Sequence, residues 1–336
     1  MIVVRAPLRL SFVGGGTDLP DFYTRHPGRV ISATIDKFVY LVINHTPLVN
    51  RVSARYSTSE TVNHPSELQH TRIKAALTDL GITNNIEIGS FASLPAKTGL
   101  GSSSSFSVAL LKGLHEFLGK NIDKNELANA ASRLEIELVG EPIGKQDQYA
   151  AAFGGLNIFT FNPDHSVKAE PVNLDYKTKA DLEHHLLVFF MGTTRPAGAV
   201  LAEQKANLEQ KIETMKAMAD SVPEFHARLA KSDLPGLGAM LQDGWAAKKS
   251  LAASISNSIT DEFYSAGMNA GAWGGKVNGA GGGGCIMFLA PAEKREAIRE
   301  GMRQVAKRNE LTDFCEIPVR FSQSGSEIIF KDTHFS

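Results

Sequence analysis

The chain has 336 residues, 43% of them apolar and 21% charged, enough for one large domain or two ordinary ones with a proper core. There are 35 basic side chains against 36 acidic ones, a net charge of −1, which argues against binding nucleic acid or a membrane through bulk charge. Two cysteines, Cys285 and Cys315, are too few for a disulfide framework and lie in no zinc-type spacing, so they read as thiols in a reducing compartment.

In chain order, residues 2–13 form an apolar, strand-like run interrupted by Pro7 and closed by Gly14-Gly15-Gly16. Arg5 and Arg9 within it leave no signal-peptide core, and the expected setting is the cytoplasm. Residues 38–44 and 85–93 read as further strands, rich in β-branched and aromatic side chains. Over 102–118, apolar side chains at Phe106, Leu110, Leu114 and Phe117 follow a helical period. Asp123 followed by Glu126 predicts a capped helix running to about residue 139. Residues 156–161 and 186–191 read as strands; the latter is the longest clean apolar run, far short of the roughly 20 residues that span a bilayer. Residues 197–270 are mostly helical, punctuated by Pro223, Pro235 and Gly244. Residues 274–289 predict strand, glycine loop, strand; a charged helix follows Pro291, and 317–330 predicts a terminal hairpin about Ser324-Gly325. The order of these elements predicts an α+β fold of two lobes, 1–170 and 171–336, joined near 162–186.

Three glycine-rich segments carry the chemistry: residues 14–18 (GGGTD), 95–105 (PAKTGLGSSSS) and 279–284 (GAGGGG). In the second, glycines free backbone N–H groups to turn toward an anion, and the helix that starts straight after adds its own free amides and positive dipole end. Serine hydroxyls there can cap the helix, bond phosphate oxygens or ligate Mg²⁺; four in a row exceed what one cap needs, which favours a triphosphate cradle over a plain cap. The familiar nucleotide motifs are absent. The three Gly-Lys pairs are followed by Asn121, Gln146 and Val277 instead of Ser or Thr. The GxGxxG match at Gly279, Gly281 and Gly284 opens onto a strand, and no HRD or DFG set is present.

The segment PAKTGLGSSSS resembles the second signature of the GHMP small-molecule kinases. NGAGGGGC (278–285) resembles their third and RAPLRLSFVGGGTD (5–18) their first, in the family's order and over almost the whole chain. The resemblance implies a two-lobed kinase with ATP between the lobes and Mg²⁺ as companion ion. Within the family, Arg9 with Asp18 is similar to the sugar-binding start of galactokinases, and GGGTDLP (14–20) together with GEPIGKQDQYAAAFGG (140–155) looks most like sugar kinases that act on the anomeric O1 of D-glycero-D-manno-heptose 7-phosphate, for nucleotide-activated heptose and surface polysaccharide. A kinase of a fucose-like sugar or a non-phosphorylated heptose, and a silent sugar-sensing paralogue, are the competing readings. Two departures stand out: Gly15-Gly16 replace the Glu-His of galactokinases, and one extra residue separates Gly144 from Asp147 relative to mevalonate kinases.

On this resemblance Asp147 is the expected general base and Arg9 the cation beside it, offsetting charge on the transferred phosphoryl group. Pro95, Lys97, Gly99, Leu100, Gly101, Ser102, Ser103 and Ser104 are expected to wrap the nucleotide phosphates. Ser103 and Glu135 are the expected Mg²⁺ ligands; Glu137 points about 200° away on a helix, so only one of the two glutamates can face the site. Asp18 is expected to accept from sugar hydroxyls beside Gly16 and Thr17, and Gly281 and Gly282 to approach the substrate from the other lobe. A phosphate on the sugar needs a basic partner, for which Lys145, Arg195 and Lys276 are candidates. His184-His185, Trp245 and Trp273 read as structural. The expected partners are ATP and a small sugar phosphate, with no nucleic acid or membrane and with a homodimer left open.

Overall fold

The computed structural model describes residues 1–194 and 197–332, so Arg195 lies outside the described residues. The chain opens with β1 (Ile2–Val13), α1 (Pro20–Tyr23), β2 (Gly28–His45), β3 (Val52–Arg55), β4 (Ser59–Val62), α2 (Thr71–Asp79) and β5 (Ile86–Ala92). It continues through α3 (Ser102–Phe117), α4 (Lys124–Arg133), α5 (Gln146–Phe153), β6 (Leu156–Phe161) and β7 (Val167–Pro171). The second half runs α6 (Tyr176–His185), β8 (Leu186–Phe190), α7 (Ala197–Ala206), α8 (Leu208–Ala230), α9 (Leu234–Lys249) and α10 (Ser258–Asn269). It ends with β9 (Gly274–Val277), β10 (Cys285–Leu289), α11 (Arg295–Arg308), β11 (Cys315–Glu316) and β12 (Glu327–Lys331).

Two sheets organise these elements in an α+β fold. The larger has eight strands in the order β12-β1-β2-β5-β3-β4, with β6 bridging β2 and β7; the smaller has four, β11-β8-β10-β9. Pro7 lacks a backbone N–H, yet β1 does not break there. Its pairing with β2 shifts register between Pro7 and Arg9 and carries on to Val13. β2 begins ten residues before the expected strand, at Gly28. Its first half pairs with β6 and its second with β5, so one strand serves two neighbours. Polar Arg29, Ser32, Thr34 and Asp36 dilute the apolar signal of the first half, although Ser32 and Thr34 are buried. Pro223 sits inside α8 without ending it.

α3 lies across β1 and β2, and Gly113 permits that closeness. A Cβ there would come within 2.5 Å of Ile43 and 2.9 Å of Val4. Leu8, Leu10 and Phe12 of β1 share one apolar cluster with Val188, Leu237 and Met287, which makes the core continuous between the sheets. The expected terminal hairpin is not formed. Cys315–Glu316 joins β8, whereas Glu327–Lys331 crosses to the outer edge of β1, where Arg5 donates to Glu327 at 2.6 Å. The larger sheet therefore draws on the last strand, and a division at 170 separates β1 from one of its partners.

Cys285 and Cys315 are both free. Both pair with Phe190, from opposite sides of β8, so two strand spacings of about 4.8 Å each keep the sulfurs from bridging. Among the described residues no helix is long and apolar enough to cross a membrane.

Candidate active site

The head of α3 is built by glycine and not by a serine cap. Gly101 takes the N-cap place in the left-handed region, φ 79°, with no side-chain cap bond, so the amides of the first turn keep their donors. The four serines divide their work. Ser104 and Ser105 are buried and point into the protein, Ser104 donating to Glu135 at 2.8 Å and Ser105 to the Pro7 carbonyl at 2.7 Å. Ser102 is half-buried and Ser103 exposed at the helix start. Of the preceding loop, Pro95 and Lys97 are exposed, Lys97 with φ 64°. Leu100 turns its side chain into the core and offers only its backbone, its carbonyl accepting from Arg9 N at 3.0 Å.

Arg9 and Asp147 meet under this loop. The guanidinium donates through Nε to Asp147 Oδ1 and through Nη2 to Oδ2, both at 2.7 Å, while Nη1 donates to the Gly99 carbonyl at 2.6 Å. Such a bidentate fork fixes a carboxylate in direction as well as position. Asp147 stands in the first turn of α5, its side chain a quarter exposed, while Arg9 is buried. Gly101 presses against the pair: a Cβ there would sit 3.3 Å from Arg9 Cγ and 3.4 Å from Asp147 Oδ2. The free amides of α3 and the carboxylate thus border the same space.

Asp18 ties the first glycine loop to α5. It accepts from Gly16 N and Gln146 N, each at 3.1 Å. Burial, and to a smaller extent the neighbouring Asp147 charge, push its carboxyl above the usual range, while the backbone donors pull it back. Thr17 departs from its expected place beside a substrate. It is fully buried, and its hydroxyl is spent on the carbonyls of Gly14 and Arg29 and the amide of Arg29, holding the turn. Gly16 faces α7: a Cβ there would lie 2.7 Å from Gln204 Nε2, a buried amide nitrogen with no partner among the described residues.

The third glycine loop meets the second, through Asn278 and Gly279 and not through Gly281 and Gly282. Gly281 and Gly282 are occupied with Ile255, whose carbonyl accepts from Gly282 N at 2.8 Å. Gly99 instead touches Asn278 and Gly279, and Cys285 N donates to the Thr98 carbonyl at 2.9 Å. Thr98 Oγ1 and Asn278 Nδ2 are buried there without partners among the described residues.

Mg²⁺ fits the two expected ligands only in part. Ser103 offers an exposed hydroxyl at the helix start. Glu135 is fully buried, and its oxygens already receive Arg72 Nε and the Ser107 hydroxyl on Oε1, and the Ser104 hydroxyl and Gln148 Nε2 on Oε2. Four donors fill the acceptor sites of a carboxylate, so as placed Glu135 is not a free ion ligand. Lys145 is also spent elsewhere: its ammonium donates to the His165 carbonyl at 3.2 Å and lies over the Tyr23 ring. Lys276 does reach the interior, beside Lys248, a residue the sequence had not singled out.

Residues 69–155 match the model of the GHMP kinases N terminal domain and 225–308 that of GHMP kinases C terminal, together just over half of the chain. The chain is 28% identical over 319 residues to D-glycero-alpha-D-manno-heptose 7-phosphate kinase of Campylobacter jejuni, covering 90% of this chain and 93% of that protein. A structure described as a D-glycero-D-manno-heptose 1-phosphate kinase from Bacteroides thetaiotaomicron superposes with a TM-score of 0.80 at 26% identity, covering 99% of this chain and all of the other. Lactococcus lactis galactokinase complexed with galactose, at 18% identity and a TM-score of 0.77 over 97% of this chain and 94% of its own, shares the fold. On the matched signatures, the two lobes and the relatives alike, the chain belongs to the GHMP kinase family.

Proposed function

We infer that the chain is an ATP-dependent sugar kinase that places the γ-phosphoryl group on the anomeric O1 of D-glycero-D-manno-heptose 7-phosphate, in the cytoplasm, upstream of nucleotide-activated heptose. The observation that carries the reading is the Arg9–Asp147 fork set against Gly101 at the head of α3. The free amides and dipole of α3 suit the nucleotide's terminal phosphates. Asp147 suits the acceptor hydroxyl: its carboxylate takes the proton as the sugar oxygen bonds to the γ-phosphorus and the bond to the β-bridging oxygen breaks, releasing ADP. Arg9 holds the carboxylate's direction and adds positive charge beside the transferred group. Mg²⁺, when bound, supplies neutralisation of the phosphate charge, with Ser103 as the protein hydroxyl nearest to that duty. The heptose choice rests on the Campylobacter relative, which spans nearly the whole chain.

The test is coupled ADP release over a panel of sugars with and without a terminal phosphate, followed by phosphorus NMR of the product. ADP release with the heptose 7-phosphate and a new phosphorus signal coupled to the anomeric proton is expected. Faster turnover of fucose or galactose overturns the substrate, and no turnover of any sugar overturns the reading.

A further inference from the structure

A cavity of about 450 Å³ opens between α8, α9 and the end of β1, within the usual size of small-molecule sites, about 300–1,000 Å³. Gly14 and Gly15 form one wall, and Lys248 and Lys276 reach it from α9 and β9. Both lysines are more than nine-tenths buried. Lys276 Nζ donates to the Phe12 carbonyl at 2.8 Å and Lys248 Nζ to the Gly279 carbonyl. Each ammonium thus has a backbone acceptor, and among the described residues neither stands in an ion pair.

Two buried cations without a carboxylate are costly, and the cost shows in their acidity. Burial first, then the Arg9 charge, brings Lys248 down to about 8 against a weaker upward pull from Asp18 and Asp147. Burial, Lys248 and Arg9 bring Lys276 well below its ordinary value. The carboxylates on the wall do not pair with them: Glu224 is bound to Arg228, and Asp243 forms no ion pair with either lysine among the described residues. An anion entering the cavity would meet two buried lysines that no carboxylate pairs among the described residues, and Lys248 is bound to Gly279, which packs on the Gly99 whose carbonyl Arg9 holds.

We propose that Lys248 and Lys276 form the site for the substrate's own phosphate: a sugar whose hydroxyl lies at Asp147 sends its phosphorylated end into the cavity between α8 and α9, where the two ammonium groups bind the monoester. They select phosphorylated sugars over free ones, the duty left open among Lys145, Arg195 and Lys276. The orientation of the sugar rests on the kinase reading above; the binding of the monoester does not.

Calorimetric titration without ATP tests it, using D-glycero-D-manno-heptose 7-phosphate and the same heptose without phosphate. Wild type should bind the phosphorylated sugar at least about tenfold more tightly, and Lys248→Met and Lys276→Met should each reduce that ratio by about tenfold. Methionine matches the stem and removes a buried charge; thermal melts of each variant check that it folds. Equal affinity of wild type for the two sugars overturns the proposal without any variant, as does a ratio that survives both substitutions in folded protein. If lysine-dependent binding is found while no sugar is turned over, the kinase reading falls and the phosphate site stands.

Discussion

The Ser104 hydroxyl donates to Glu135 across 2.8 Å, and through that bond the head of α3 is fixed to the widened helical turn that follows α4. Gln148 of α5 and Arg72 of α2 donate to the same carboxylate. One buried charge therefore joins α3, α5 and α2. Glu135→Gln keeps the shape and removes the charge. Urea denaturation should show a loss of about 3 kcal/mol, the scale for breaking a buried pair whose other member stays. The Mg²⁺ concentration giving half the maximal rate should not move. A raised Mg²⁺ requirement in a variant of unchanged stability would place the carboxylate on the ion instead.

On the proposed mechanism, Asp147→Asn removes the proton acceptor and leaves an oxygen for Arg9 to hold. Turnover should fall by about 10²–10⁴-fold with nucleotide affinity nearly unchanged, as checked by steady-state kinetics and nucleotide titration. Near-normal turnover would remove Asp147 from the reaction.

Gly99→Ala sets a methyl group 2.5 Å from the Asn278 carbonyl in a residue with φ 80°. Both the left-handed backbone and the clash oppose it, so the two glycine loops must separate. A cost of about 1–3 kcal/mol and a melting point lower by a few degrees are expected, with a higher KM for ATP. Equal melting curves for variant and wild type would show that the loops do not meet as described.

Lys248 gives a pH signature. Its folded value, about 8, lies below the ordinary value of 10.5, so between these the unfolded chain holds a proton that the folded one has released, and stability rises with pH across that window. Below pH 8 the buried ammonium costs on the order of 3 kcal/mol. Lys248→Met should melt higher than wild type at pH 7, and the gap should close toward pH 10. Cys285, Tyr23, Tyr149 and Tyr264, all raised by burial, run the other way at high pH, and the wild-type-minus-variant difference cancels them. A gap that does not depend on pH would refute the buried ammonium.

The thiols should behave unequally. Cys315 is exposed and should react with an aromatic disulfide reagent in native protein, at a rate held back by a thiol that partial burial and Asp313 push up. Cys285 is fully buried, with its thiol pushed up by burial, and should react only after denaturation. A melting point that reducing agent lowers would indicate a bridge.

Local signals in the sequence were the readable ones. The capping box of α4 forms as expected, with Asp123 accepting from Glu126 N at 2.8 Å and Glu126 accepting in return from Asp123 N at 3.1 Å. α3 and β5 needed only their own periodicity. Arg9 and Asp147 are 138 residues apart, and no local pattern joins them; only the family's motif order brought them together. Lys248 shows the opposite failure. It is adjacent to Lys249, about 100° round the helix; one enters the cavity and the other pairs with Asp261 at 3.2 Å, and charge alone does not tell the two apart. Four serines in a row do not make four phosphate contacts, since two of the hydroxyls face inward and bond Glu135 and the Pro7 carbonyl.

The crossing of β12 to β1 has a consequence for how the molecule is made. Arg5 leaves the ribosome 322 residues ahead of Glu327, its eventual neighbour. Until residue 327 is made, the β1 rim of the large sheet therefore has bare amides and carbonyls, an invitation to pair with other nascent chains. Correct folding depends on keeping such neighbours away until the tail arrives to close the seam.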